Sequence, residues 1–335
     1  MSNEPRKPVP KAILDAFREA KSIVLTGHVN PDGDCIGAQA GLARVLQSLG
    51  KEVTILNPDP PEEAFDYLSS VVPYGVFEGG ALPEHDLCVL LDISELGRCG
   101  ALAAPLAAAP SKKLVIDHHV HHGEEWWDHA FMDRTASATG VLVYRLAKAL
   151  GVELDAVASK GLFTSLVTDT GWFKYSNTDA ETLAVAADLV AHGVRPDELF
   201  SAIYQRNAPA LPHELGSQLR RLEYFAGGRL ALLVTDPEDE TIDGGSDMLL
   251  DILRSVEDVE VVLFLKHTSE GRIKLSARSK RNFNVNALAR RFGGGGHVKA
   301  SGATLDGPME AARSAMLSAA LEEIESQLGA GASGG

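Results

Sequence analysis

Short apolar runs rich in β-branched residues recur through the first third of the chain: IVLTGHV (23–29), KEVTIL (51–56), DLCVLLD (86–92) and KLVID (113–117). Each has strand length, and stretches with helical spacing, such as CIGAQAGLARVLQSLG (35–50), lie between some of them. This alternation predicts a mostly parallel sheet flanked by helices, because parallel neighbours need a crossover that a helix supplies. After residue 117 the pattern turns helical, with SATGVLVYRLAKALG (137–151), DAVASKGLFTSLVTDTG (155–171) and DAETLAVAADLVAHG (179–193). Gly151 and Gly193 stand where a glycine ends a helix. Residues 195–225 read as helical. A second block from about Gly228 carries strands at 229–234, 259–266 and 272–278, helices at 246–254 and 285–292, and a final helix at 308–327. The expected architecture is α/β. An N-terminal α/β domain (1–194) is followed by a helical connector (195–227), a smaller α/β domain (228–328) and a disordered tail (329–335).

The 335 residues, 45% of them apolar, suit two domains with a core each. No apolar run reaches 18 residues and the start, MSNEPRKPVP, is polar, so a cytoplasmic protein without a membrane segment is expected. Three cysteines with no CxxC spacing argue against a disulfide framework or a cysteine zinc site, so any metal falls to histidines and carboxylates. The net charge of −15 hides an asymmetry: residues 262–302 hold nine Lys or Arg against one acid, Glu270, and the rest holds 22 basic against 45 acidic. A local basic patch on an acidic body suits a short phosphate ligand better than a long duplex, which needs many dispersed phosphate contacts.

Candidate chemistry sits where the apolar runs end. The first leads into His28, Asp32 and Asp34 in GHVNPDGDCIG, the third into Asp92, the fourth into Asp117-His118-His119, and the helix 155–171 into Asp169. The carboxyl ends of parallel strands form the ligand crevice of such sheets, so these groups can converge there. Taken singly each has an ordinary explanation: DGD makes turns, a strand-terminal Asp caps a helix, and a His pair fills a loop. Together, His28, Asp32, Asp34, Asp92, His118 and Asp169 suit a pair of divalent ions, Mn²⁺ or Mg²⁺ rather than structural zinc. His121, His122 and His129 are assigned to a loop, and Trp126-Trp127 to a cover over the site's edge.

Five ordered motifs, HVNPDGDCIG, LLDIS, VIDHH, TDTG and GGGGHVKASG (293–302), make the sequence resemble the DHH phosphoesterase family. The branch is the one with a DHHA1 C-terminal domain, which includes the nanoRNase/pAp phosphatases. The resemblance implies one metal on His28, Asp32 and Asp92 and a second on Asp34, Asp92, His118 and Asp169, with Asp92 bridging. It leaves His119 to face the substrate phosphate, and Asp117 to support the histidines. Cys35, where the family often has a smaller residue, is expected to matter little. Two such cations lower the pKa of a bridging water and clamp charge on a phosphoryl centre, and His119 is the candidate proton donor.

In the second block, Gly295 and Gly296 place side-chain-free backbone beside His297 and Ser301, and Arg278 with Ser279 offers a phosphate grip. Arg98, Ser137 and Thr139 face phosphate or serve as a surface ion pair and a helix cap. The expected activity is Mn²⁺-dependent hydrolysis of very short single-stranded RNA, including linear dinucleotides, to mononucleotides, and of 3′-phosphoadenosine 5′-phosphate (pAp). A homodimer is compatible with this reading. A cyclic-dinucleotide phosphodiesterase shares both blocks and is the alternative. An inorganic pyrophosphatase is disfavoured by GGGGHVKASG, and a catalytically silent nucleotide-binding protein by the complete ligand set.

Overall fold

The computed structural model describes residues 6–121, 123–236, 245–268 and 271–329, without the side chains of 245 and 247. His122 and the tail beyond residue 329 therefore lie outside the described residues. The chain divides into two compact units, through Arg206 and from Asn207. In the first unit the order is α1 (Lys11–Glu19), β1 (Ser22–Thr26), α2 (Gly33–Ser48), β2 (Glu52–Asn57), α3 (Asp66–Ser69), β3 (Tyr74–Val76) and β4 (Leu87–Leu91). Then come α4 (Ala103–Ala108), β5 (Lys112–Asp117), β6 (His129–Met132), α5 (Thr139–Leu150), α6 (Ala156–Asp169), α7 (Ala180–Ala191) and α8 (Pro196–Tyr204).

The first sheet runs β3-β2-β1-β4-β5-β6, with every neighbouring pair parallel. All five residues of β4 are buried, as a central parallel strand covered on both faces requires. Alternation sorts the side chains: Ile23, Leu25, Val89 and Ile116 pack towards α1, α2, α5 and α6, while Val24, Cys88, Leu90 and Val115 pack towards Leu102, Leu106 and the two tryptophans. The strand order reverses at β1, between β2 and β4, so the loops that leave β1 and β4 open a crevice at the carboxyl edge.

Two sequence expectations change here. His129 is not in a loop but begins β6, paired with Leu114, and Phe131 of this strand is buried. Four residues that include a histidine are too short to stand out from the preceding polar stretch. The helical reading of 195–225 also ends early: Glu223–Phe225 is a strand (β7), turned back on its neighbour through Ala226 and Gly227, both at positive φ.

The second unit continues from α9 (Leu211–Leu219) and β7 through β8 (Leu230–Val234), α10 (Gly245–Ser255), β9 (Val261–His267), β10 (Ile273–Ser279), α11 (Val285–Arg290), β11 (Gly295–Gly296), β12 (Ala300–Leu305) and α12 (Met309–Leu328). Its mixed sheet has the order β11-β12-β10-β9-β8-β7. One face packs on α11 and α12, the other on α9 and α10. The cysteines are free and buried. Among the described residues no helix is long and apolar enough to cross a membrane.

Candidate metal centre

At the carboxyl edge the predicted groups meet. β1 stops at Thr26, three residues before the apolar run does, and Gly27 leaves room for α2 to pack close: a Cβ there would stand 2.1 Å from the Cys35 sulfur. His28 sets its Nδ1 against the Val29 carbonyl at 2.8 Å, which turns Nε2 towards Asp92 Oδ2 at 3.4 Å and Asp32 Oδ1 at 3.9 Å. Asp32 is also the N-cap of α2, its Oδ1 accepting from the amides of Asp34 and Cys35. The loops after β1 and β4 are tied together by the Val29 amide, which donates to the Arg98 carbonyl at 2.8 Å.

Asp92 leaves β4 with φ 60°, a left-handed backbone rarely used by residues other than glycine and asparagine or aspartate. It caps no helix; its amide donates to Ile116 O, and its carboxylate turns inward, accepting from Thr139 Oγ1 at 3.1 Å. Asp34, in the first turn of α2, accepts from the amides of Thr139 (2.9 Å) and Gly140 (3.3 Å), where α5 begins, and from the Ser165 hydroxyl. His118 donates from Nδ1 to Ala136 O at 3.2 Å, so its Nε2 carries the lone pair. That Nε2 is buried without a hydrogen-bond partner, with Asp34, Asp92 and Asp169 oxygens 3.4, 3.6 and 3.7 Å away.

These separations are too long for hydrogen bonds. They are close to the roughly 3.0–3.4 Å that separates two donors of one ion held at about 2.1 Å. Three groups of side chains have donor atoms close enough for a cation: His28-Asp32-Asp92, Asp34-His118-Asp169 and Asp92-His118-His119. The electrostatics point the same way. Burial, then the charges of Asp34 and Asp32, push the Asp92 carboxyl well above its usual range. Burial and the same two neighbours raise Asp169 to about 8. Carboxylates crowded this tightly are held ionised at neutral pH by compensating positive charge, which divalent cations supply. The orphaned Nε2 and the donor set thus fit bound cations.

His119, about a third exposed, rests its Nδ1 on Asp117 Oδ1 at 2.9 Å, with Asp92 Oδ1 at 3.4 Å. The same Asp117 oxygen accepts the His119 amide. Burial alone would raise the Asp117 carboxyl, but these bonds and the His119 charge hold it below the ordinary range.

Several supporting residues escape a motif reading. Asn177 donates to Asp169 Oδ2 at 3.2 Å and to the carbonyls of Asp169 and Ser137, fixing the carboxylate that ends α6. Thr139 serves the carboxylates rather than a phosphate. Ser137 is buried, and its hydroxyl accepts from Thr182. Cys35 is wholly buried, which pushes its thiol up and leaves it a packing residue. The tryptophans divide: Trp126 anchors its indole N–H on the Ser94 carbonyl at 2.9 Å, while Trp127 is set edge-on to His121. Arg98 is exposed on a short 3₁₀ segment.

The second unit departs from the sequence reading at its hydroxyls. Ser279 is buried and donates to Phe283 O at 2.7 Å, and Ser301 donates to His297 O at 2.7 Å, so both brace turns instead of facing outward. Gly295 and Gly296 are exposed and pair with Gly302 and Ser301. A Cβ on Gly296 (φ 136°) would meet Ala300 O at 2.6 Å, so the glycine first serves the chain's own close turn. Arg278 lies opposite Ala300, on the strand beside this turn.

With the geometry in place, comparison with known proteins is direct. The DHH family, N-terminal domain, matches residues 22–170, and the DHHA1 domain matches residues 229–329. Over 90% of both chains the sequence is 35% identical to a protein of Thermus thermophilus named bifunctional oligoribonuclease and PAP phosphatase NrnA. The chain belongs to the DHH family. A Bacillus subtilis protein of the same name is 27% identical over 85% of this DHH chain and 89% of its own. An exopolyphosphatase-related protein from Bacteroides fragilis superposes with a TM-score of 0.86 at 27% identity, over 94% of this chain and 96% of its own. The DHH chain is an enzyme of the hydrolytic, phosphoesterase type.

Proposed function

We propose that the enzyme hydrolyses very short single-stranded RNA, linear dinucleotides above all, to mononucleotides, and converts pAp to AMP, in the cytoplasm. The carrying observation is the buried, unpartnered His118 Nε2 facing three carboxylates at the carboxyl edge of the sheet. The names of the Thermus thermophilus and Bacillus subtilis relatives support the substrate class.

His28, Asp32 and Asp92 would hold one divalent ion and Asp34, Asp92, His118 and Asp169 the other, the Asp92 carboxylate shared. Two imidazoles among carboxylates favour Mn²⁺ over Mg²⁺, which prefers oxygen alone. Such ions supply Lewis acidity, drawing charge from phosphoryl oxygens and acidifying water. The protein's own groups do the rest. Thr139, Gly140 and Ser165 hold Asp34 against rotation, and Asn177 does so for Asp169. Asp117 orients His119 through the Nδ1 hydrogen bond, leaving Nε2 as the atom that would supply a proton to the leaving alkoxide. In the DHHA1 domain, Arg278 with the Gly295–His297 turn is assigned to the substrate's phosphate.

The test is turnover by the chelator-stripped protein, with and without Mn²⁺, on a 5′-phosphorylated diribonucleotide, pAp, a cyclic dinucleotide and pyrophosphate in parallel. Mn²⁺-dependent release of mononucleotides, fastest on the linear dinucleotide, is expected. Preference for the cyclic dinucleotide or for pyrophosphate, or no turnover at all, overturns the proposal.

A further inference from the structure

His119 also borders a cavity of about 770 Å³, within the roughly 300–1,000 Å³ of small-molecule sites. Its wall carries five aromatic or imidazole side chains, His119, His121, Trp127, His129 and Phe131. Lys7 and Arg134 on the same wall are balanced by Glu125 and Asp128, so the cavity is not built for a phosphate. Rings with little net charge suit a flat aromatic ligand that carries hydrogen-bonding edges.

Two details point to such a ligand. Trp127 packs against the core beneath the sheet, beside Trp126 at 6.0 Å, and stands edge-on to His121 at 4.8 Å, yet it still lines the cavity. His121 accepts the Gly123 amide on Nε2 at 3.1 Å, so in the neutral ring its hydrogen is on Nδ1. That Nδ1 is buried and has no hydrogen-bond partner. A donor hidden from water without an acceptor is costly, and a ligand acceptor relieves it.

We propose that this cavity takes the nucleobase of the second nucleoside of a dinucleotide, the one that pAp lacks, stacked on Trp127 and accepting from His121 Nδ1. His119 is the link: one residue touches both Asp92 and the cavity, so a base lodged there belongs to the nucleoside next to the phosphate at the carboxylate cluster. The inference rests on the nucleotide reading above and adds to it a structural source of the preference between the two substrates.

The test compares kcat and KM on a 5′-phosphorylated diribonucleotide and on pAp for the unaltered protein, Trp127→Ala, Trp127→Phe and His121→Ala. Loss of one stacked base raises KM roughly five- to hundredfold. Trp127→Ala is expected to raise the dinucleotide KM by that factor relative to the pAp KM, and Trp127→Phe to restore most of it. His121→Ala, which removes the donor together with its edge contact on Trp127, is expected to shift the same ratio several-fold. An unchanged ratio in all three variants, or an equal change on both substrates, refutes the subsite while leaving the nucleotide reading intact. Failure of the unaltered protein to turn over either nucleotide refutes that reading and the subsite with it.

Discussion

Replacing Gly37 with alanine tests how the centre is positioned, because it adds one methyl group at a residue that is not itself a proposed donor. α2 and α6 run in opposite directions in unusually close contact: Gly33 faces Thr168, Gly37 faces Gly161 and Ser165, and Gly41 faces Leu162. A Cβ on Gly37 would lie 2.4 Å from Gly161 O and 2.6 Å from Ser165 N, against 3.4–4 Å for ordinary contact. The helices must therefore separate by about 1 Å, which costs about 1–3 kcal/mol of overpacking, offset by about 1 kcal/mol of helix propensity. Asp34 starts α2 and Asp169 ends α6, so the same displacement pulls them apart across His118. Catalytic groups tolerate about 0.5 Å, and a 1 Å misplacement costs on the order of a hundredfold in rate. The expected result is a folded protein, destabilised by about 0–2 kcal/mol in urea, with kcat/KM on the dinucleotide down about a hundredfold. Gly216→Ala, an exposed helical glycine with open space around it, is the control and should gain about 0.5–1 kcal/mol. Activity within threefold of the unaltered protein in Gly37→Ala would refute the claim that this helix contact sets the centre.

Three further outcomes are expected. Asp169 sits at about 8 in the folded, metal-free protein against an ordinary value of 3.8, so between about pH 4 and pH 8 the folded state binds the extra proton. Stability of the chelated protein should then fall as pH rises through that window, by at most about 1.4 kcal/mol per unit for this group, and Mn²⁺ should flatten the slope; chelated stability that rises from pH 5 to pH 8 contradicts this. Asp92→Asn, which keeps a residue tolerant of φ 60°, should fold but lose Mn²⁺-dependent turnover by a thousandfold or more, and near-normal turnover would exclude a bridging role. Arg278→Ala should raise KM about tenfold with little change in kcat, and an unchanged KM removes it from the phosphate grip.

The strands that read clearly in the sequence are β1, β2, β4, β5 and, in the DHHA1 sheet, β8, β9 and β10, each of five residues or more, whereas β12 (ASGATL) is small and polar enough to escape. β3, β6, β7 and β11 have two to four residues and acquire their strand character from neighbours the sequence does not reveal. The clustered acids and histidines stood out because each interrupts an apolar run. Their supports did not: Thr139 at the start of α5 read only as a phosphate contact or a helix cap, and nothing local marks Ser165 within α6 or Asn177 in the turn after it. One signal was available, the spacing of Gly33, Gly37 and Gly41 along a single helix face, which marks a close backbone approach. Ser279 and Ser301 misled because a hydroxyl beside glycines and basic residues looks the same whether it meets a ligand or a carbonyl of its own turn.

The most direct test of the central claim is an anomalous-difference map from a crystal of the Mn²⁺-loaded protein. Two peaks are predicted, one among His28, Asp32 and Asp92 and the other among Asp34, Asp92, His118 and Asp169, with Asp92 touching both. A single peak, or peaks away from Asp92, would contradict the account.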